Sequence, residues 1–236
     1  MLAQTAKRCQ RERNTRDTCT SVGKGEPMRT QAVGAATAPL PDRPELSAAR
    51  RRLFETALAL FSRTGYNGVS VRDIVAELDQ HPTAIYAHVS SKQELLFEVI
   101  LIGYEELRDR LRSAVLEAGS DPAAQLRAIV STNASTHLTY PELARVIHSE
   151  AGLLSESQRA IIDVFRQDLG GLLREVAARG VVQGVFNPPD LEITLLAITS
   201  MGVNVIDWWT VGMGVDIAHI AATHADLAIR MLTSDT

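Results

Sequence analysis

The chain has 236 residues, 45% of them hydrophobic and 22% charged, and a formal net charge of -4. This composition excludes fibrous and disulfide-stapled classes, and the length allows one large core or two modest ones. The charge is uneven: residues 1–52 carry a balance of +6 and residues 53–236 one of -10, so a basic end precedes an acidic body.

Only Cys9 and Cys19 are present, at neither a zinc-finger nor a disulfide-framework spacing, and a reducing cytoplasm fits that usage. No secretory h-region opens the chain and no uninterrupted apolar run of membrane-spanning length follows, so the expectation is a cytoplasmic protein with no membrane partner. Residues 1–45 are rich in Thr, Gly, Ala, Pro and Gln without helical or strand period, and are expected to be a disordered basic extension.

From Ser47, a plausible cap, the pattern changes. Leu53, Phe54, Ala57, Leu58, Leu60 and Phe61 form a dense apolar stripe that predicts a helix stopping near Gly65. Arg50, Arg51 and Arg52 at its start suit either DNA phosphates or water. Ser70 then precedes Asp73 by three residues, the signature of a capped helix start, and Val71, Ile74, Val75 and Leu78 recur at helical spacing. Asp79, Gln80 and His81 break that pattern, and Pro82 suits the first position of a second helix running from Pro82 or Thr83 to about Val89. Ile85 and Val89 point one way. Thr83, Ala84, Ala87 and His88 are left on other faces, short enough to let a backbone approach base edges, with Tyr86 and His88 long enough for flanking phosphates and Lys92 placed for another.

The stretch from Arg51 to Leu96 resembles the DNA-binding domain of the tetracycline-repressor (TetR) family of bacterial transcription regulators. The resemblance lies in A-x-x-L-F at Ala57–Phe61, Gly65-Tyr66, S-V-R-D-I at Ser70–Ile74, I-Y-x-H-V at Ile85–Val89 and S-K-x-E-L at Ser91–Leu95. It implies a three-helix domain over residues 46–97 containing a helix-turn-helix, contacting double-stranded operator DNA through Ser70, Val71, Arg72, Pro82, Thr83, Ala84, Tyr86, Ala87, His88 and Lys92. One departure is Asp79 in the turn, where relatives usually carry Gly; Asp tolerates the left-handed conformation better than most residues.

After Lys92 the pattern is almost wholly helical. Helices are predicted at about 92–118, 122–139, 141–150, 156–180, 190–210 and 216–233, giving an all-α chain whose residues 98–236 form a ligand-binding and dimerisation domain. No phosphate loop, nucleophile elbow or paired metal-ligand spacing lies on them, so no catalytic residue, metal or cofactor is expected. The helix Leu191–Val211 is apolar nearly all round, and Ile217, Ile220, Ala221, His224, Leu227, Ala228 and Met231 line one stripe of the last helix. A second copy of the chain is the expected cover, as the resemblance also implies. Asn133, His137, His148, Glu150, Asn204, Asp207, Trp208 and Trp209 are the candidate polar and aromatic groups of a small-molecule pocket. The segment RGVVQGVF at Arg179–Phe186 resembles TetR-family members responsive to acyl-CoA thioesters, which implies an apolar tunnel with Arg108, Arg110, Arg112 or Arg166 near the CoA. The reading is a homodimeric repressor released from its operator by an effector; a helical ligand-binding or scaffold protein without an operator is the alternative.

Overall fold

The computed structural model describes residues 38–79, 82–210 and 212–233, with the side chains of Pro82, Thr83 and Ala84 outside that description. Nine α-helices and no strand occur among the described residues: α1 Ala48–Thr64, α2 Val71–Glu77, α3 Lys92–Glu117, α4 Pro122–Thr139, α5 Pro141–Glu150, α6 Glu156–Val182, α7 Leu191–Val203, α8 Val205–Trp208 and α9 Ile217–Leu232.

Helix starts are set by short polar side chains. Ser47 Oγ accepts from Arg50 N, Ser91 Oγ from Glu94 N and Asp121 from Ala124 N, while Ser70/Asp73 and Ser155/Gln158 form reciprocal capping boxes. The α1 stripe is buried as its spacing predicts, and Gly65 closes the helix by donating to Phe61 O at 2.9 Å. Asp79 does take a left-handed conformation, φ 53°. The second helix of the pair is shorter and tighter than expected: Pro82–Ala87 is a 3-10 turn, ended by His88 N and Val89 N both donating to Ile85 O.

Two expectations are corrected. Residues 1–37 lie outside the described residues, but 38–45, expected to be disordered, are tied down. Leu40 is 1% exposed in the core that α1 shares with α3 and α5, and Ala38 N donates to Thr139 O. Arg51 from α1 donates to Leu40 O and Pro41 O, and Arg43 donates to Ile102 O of α3. A single buried leucine in a Pro-rich run carries no period, so the sequence pattern missed it. The helix expected at 190–210 is two pieces, because the chain leaves helical geometry at Asn204, where α8 begins. Although Leu191–Trp208 has the length and hydropathy of a membrane span, α7 is interrupted there and its inner face packs on α4, α6 and α9.

One core, with Leu40, Phe54, Ile74, Leu95 and Val146, joins α1 and α2 to α3 and α5; a second, with Leu126, Leu173, Ile198 and Ala228, joins α4, α6, α7 and α9. Helix α3, about 39 Å long for its 26 residues, contributes to both, so the boundary expected at 97/98 falls inside one continuous helix. Close approaches rest on glycine. A Cβ at Gly202 would meet Asn133 Nδ2 at 2.4 Å, and one at Gly180 would meet the Phe186 ring at 2.1 Å. The RGVVQGVF segment is thereby accounted for as a fold device: Val185 N and Phe186 N donate back to Gly180 O, and Phe186 is buried on the glycine.

Candidate functional site

Around the helix pair, the buried set Ile74, Val75, Leu78, Ile85 and Val89 packs the Pro82–Ala87 turn on α2 and α2 on α1. That leaves Arg72, Tyr86 and Ala87 exposed and His88 half-buried, a basic, aromatic and small-residue surface at the edge of the domain. Ser70 is exposed but locally committed: its Oγ donates to Asp73 Oδ2 at 2.6 Å, and its N–H donates to the same oxygen at 2.7 Å. Those bonds hold the Asp73 carboxyl below its ordinary range. Val71 is half-buried against the core, so its role is packing.

Lys92 departs furthest from expectation. Its ammonium donates to Tyr66 O at 2.9 Å and Val69 O at 2.7 Å and lies 3.9 Å from the Tyr66 ring centroid. It faces into the domain and pins the loop that leads to α2, where a phosphate contact was expected. Partial burial lowers its pKa. Arg50 and Arg51 are likewise engaged, Arg50 with Glu98 at 3.1 Å and Arg51 with Glu55 at 2.9 Å. Arg52 is left exposed.

The second feature is a cavity of about 340 Å³ among α3, α4, α5, α6 and α7, within the range of small-molecule sites. Its walls are mostly apolar, with Leu107, Leu111, Ile129, Leu173 and Ile198 at one end; at the other stand Tyr104, His137, His148 and Arg166. Asn133, His137 and His148 line this one cavity. Asn204, Asp207, Trp208, Trp209 and Glu150 do not line it. Asn204 is exposed at the α7–α8 break, Trp208 sets its edge on His224 at 6.2 Å, and Trp209 is buried with Val205 and Ile217. Past the break at Asn204, α8 packs Val205 and Ile206 against Leu138 of α4 and Ala144 of α5, outside the cavity lining. Sequence reasoning missed Tyr104, Glu106 and Tyr140; the inward face shared by Gly103, Tyr104, Leu107 and Leu111 on α3 was the available signal.

His137 Nδ1 lies 2.8 Å from Asn133 O, and the two Nε2 atoms of His137 and His148 lie 3.1 Å apart with the rings nearly parallel at 6°. Burial lowers the pKa of His137. His148 is an exposed residue of α5, but the protein packed around its ring desolvates it. That desolvation, then the neighbouring His137 and Arg166, bring it to about 4, with Asp207 opposing. Arg166 Nε donates to Tyr104 OH at 2.8 Å and its Nη1 to Asp163 at 3.3 Å. Tyr140 OH accepts from Arg110, which also holds Glu106. Among the described residues no group of three or more His, Cys, Asp or Glu is placed to hold a metal ion.

The chain thus joins a helix-turn-helix domain, through α3, to a cavity-bearing helical body. Residues 53–99 match the bacterial regulatory proteins of the tetR family, and residues 119–232 match the tetracyclin repressor-like C-terminal domain. A regulatory protein of the tetR family from Rhodococcus RHA1 is 30% identical, with a TM-score of 0.75 over 81% of this chain and 100% of that one. The chain belongs to the TetR family. Among other TetR-family relatives, the transcriptional repressor KstR2 of Rhodococcus jostii is 22% identical over 83% of this chain and 97% of its own. AibR, solved with isovaleryl coenzyme A and operator DNA, shares the fold at 24% identity and a TM-score of 0.68, covering 79% of this chain and 98% of that one. Like these relatives, the chain is a helix-turn-helix transcription regulator.

Proposed function

We propose that this regulator is a cytoplasmic homodimeric repressor that leaves its operator when a small apolar effector fills the cavity. Residues 46–97 read the DNA and residues 98–236 sense and dimerise. The observation that carries the reading is α3: its first residue, Lys92, pins the loop before the reading elements, while Gly103 to Leu111 of the same helix wall the cavity. A ligand that fits one placement of α3 better than another shifts the helix pair by differential affinity. In a dimer, two reading elements must match successive major grooves, so a small shift is sufficient to weaken operator binding. Arg72, Tyr86, Ala87 and His88 are the residues assigned to DNA, together with Pro82, Thr83 and Ala84, whose side chains lie outside the described residues.

Dimerisation is supported by apolar surface left on the outer faces of α7 and α9, where Ile193 and Leu196 are 65% and 67% exposed and Leu227 is 41% exposed. An acyl group as effector is supported by the apolar walls and by AibR's isovaleryl coenzyme A. The test is fluorescence anisotropy on a labelled fragment from upstream of the protein's own gene, with a panel of acyl-CoA esters at fixed salt, because phosphate contacts make affinity salt-dependent. Tight binding that one ester abolishes supports the whole reading. Tight binding untouched by every ester removes the acyl-CoA effector, and no specific binding favours a helical ligand-binding protein without an operator at that site.

A further inference from the structure

The polar end of the cavity is wired by proton positions that can be worked out. Asn133 O has only lone pairs to offer, so the 2.8 Å contact puts a hydrogen on His137 Nδ1. A neutral His137 therefore carries a bare lone pair on Nε2. His148 Nε2, 3.1 Å away, must supply the hydrogen between them. That leaves His148 with a bare acceptor at Nδ1, for which no protein donor occurs among the described residues. Desolvation keeps both rings neutral near pH 7, which holds this arrangement in place. Across the cavity the reverse applies. Arg166 Nε is always a donor, so Tyr104 OH is its acceptor and keeps its own hydrogen to give, beside the remaining guanidinium N–H groups.

An acceptor and a pair of donors thus line one end of an otherwise apolar cavity. We propose that the cavity selects effectors ending in a carboxyl group, whose O–H donates to His148 Nδ1 while its carbonyl accepts from Tyr104 O–H and Arg166. This rests on the reading that a small effector fills the cavity, and it puts a free acid in place of an acyl-CoA ester. A free acid satisfies every group. A thioester or methyl ester satisfies the donors and leaves the imidazole to water; an alcohol satisfies the imidazole but has no carbonyl for the donors. Because the acid is ionised in neutral solution, binding takes up one proton from solvent, shared between carboxyl and imidazole. The other ionisable groups at the site are Glu106, held by Arg110; Tyr140, which accepts from Arg110; Asp163, paired with Arg166; and Asp207, felt by His148 from α8.

The experiment is isothermal titration of the full-length protein with decanoic acid, methyl decanoate, 1-decanol and decanoyl-CoA, and with the acid, methyl ester and alcohol of adamantane as a second apolar body. The expected result is binding of at least one acid about tenfold or more tighter than its ester and alcohol. Its heat should change between two buffers of different ionisation enthalpy by the amount one absorbed proton gives. His148→Phe, which deletes the acceptor, should narrow the acid-over-ester preference, whereas Tyr104→Phe, which deletes one oxygen that acid and ester carbonyls both use, should weaken acid and ester alike and leave their ratio in place. An ester, alcohol or decanoyl-CoA matching its acid, or no acid binding at millimolar concentration, overturns the proposal. Operator release followed in parallel separates it from the reading beneath it. Release by esters as well as acids keeps the effector reading and sinks carboxyl selection. Preferential acid binding that leaves the operator occupied keeps the selection and sinks the effector reading.

Discussion

Around Ser70 the contacts that set the backbone are made between residues three or four apart: a hydroxyl, a carboxylate and two amides close the start of α2 on themselves. At the polar end of the cavity, His137 has partners 4 and 11 residues away, but the contact that closes the site joins Tyr104 and Arg166, 62 residues apart in sequence and 2.8 Å apart in space. The reading elements are thus locally written and rigidly capped, whereas the cavity exists only once α3 to α7 have converged. A regulator gains from this division, since the DNA surface keeps its shape while the sensor's walls have room to rearrange.

The largest expected effect tests how far the two regions depend on one core. Leu40 sits fully buried between them on a segment held by Arg51 and Arg43. Leu40→Ala should cost about 2–5 kcal/mol, the usual range for a buried leucine, measured by urea denaturation. A single transition shifted to lower urea is the expected outcome. Separate transitions for helix pair and sensor would show that the shared core does not couple them.

This difference in construction also governs what the sequence made legible. Caps at Ser47 and Ser70, the Pro82 start, the 122–139 and 141–150 helix spans, and the α1 stripe are local, and each was readable from spacing alone. The left-handed Asp79 was legible only through the resemblance, in which relatives carry Gly at that turn. Leu40, the inward Lys92 and the Tyr104–Arg166 contact depend on residues tens of positions away, and no period announces them. Asn204, Asp207 and Trp208 looked like pocket residues only because the helix was assumed to continue through Asn204.

A smaller effect separates positioning from phosphate contact. Lys92→Met removes two charge-assisted bonds to the loop before α2, and should lower stability by about 1–2 kcal/mol, reduced from the usual range for charged bonds because the ammonium is partly solvated. Its effect on the salt dependence of operator binding should be negligible. Arg72→Ala should do the opposite, leaving the melting temperature in place and reducing the log–log salt slope by about one. A salt slope that falls for Lys92→Met would return that residue to the phosphate backbone.

The histidine pair adds a pH dependence that belongs to the sensor alone. His148 is brought from its ordinary 6.5 to about 4, so between those values the unfolded chain binds more protons than the folded one. Stability from this group is therefore present above pH 6.5 and is lost as pH falls toward 4. The melting temperature should decline over that interval, and His148→Asn should flatten the decline. An unchanged slope in the variant would assign the loss to other groups.

The smallest effect lies in the turn. Asp79 holds φ at 53°, a conformation that costs an L-residue energy and glycine almost none. Its side chain is exposed and joins no core cluster, so Asp79→Gly removes strain without opening a cavity. Against this, glycine loses more backbone freedom on folding, about 0.5–1 kcal/mol relative to alanine elsewhere. The expected sum is a gain of no more than about 0.5 kcal/mol, with operator affinity unchanged within twofold at fixed salt. A loss of affinity at constant stability would mean that Asp79 fixes the angle between α2 and the Pro82–Ala87 turn. Local geometry would then reach the DNA surface without passing through the core.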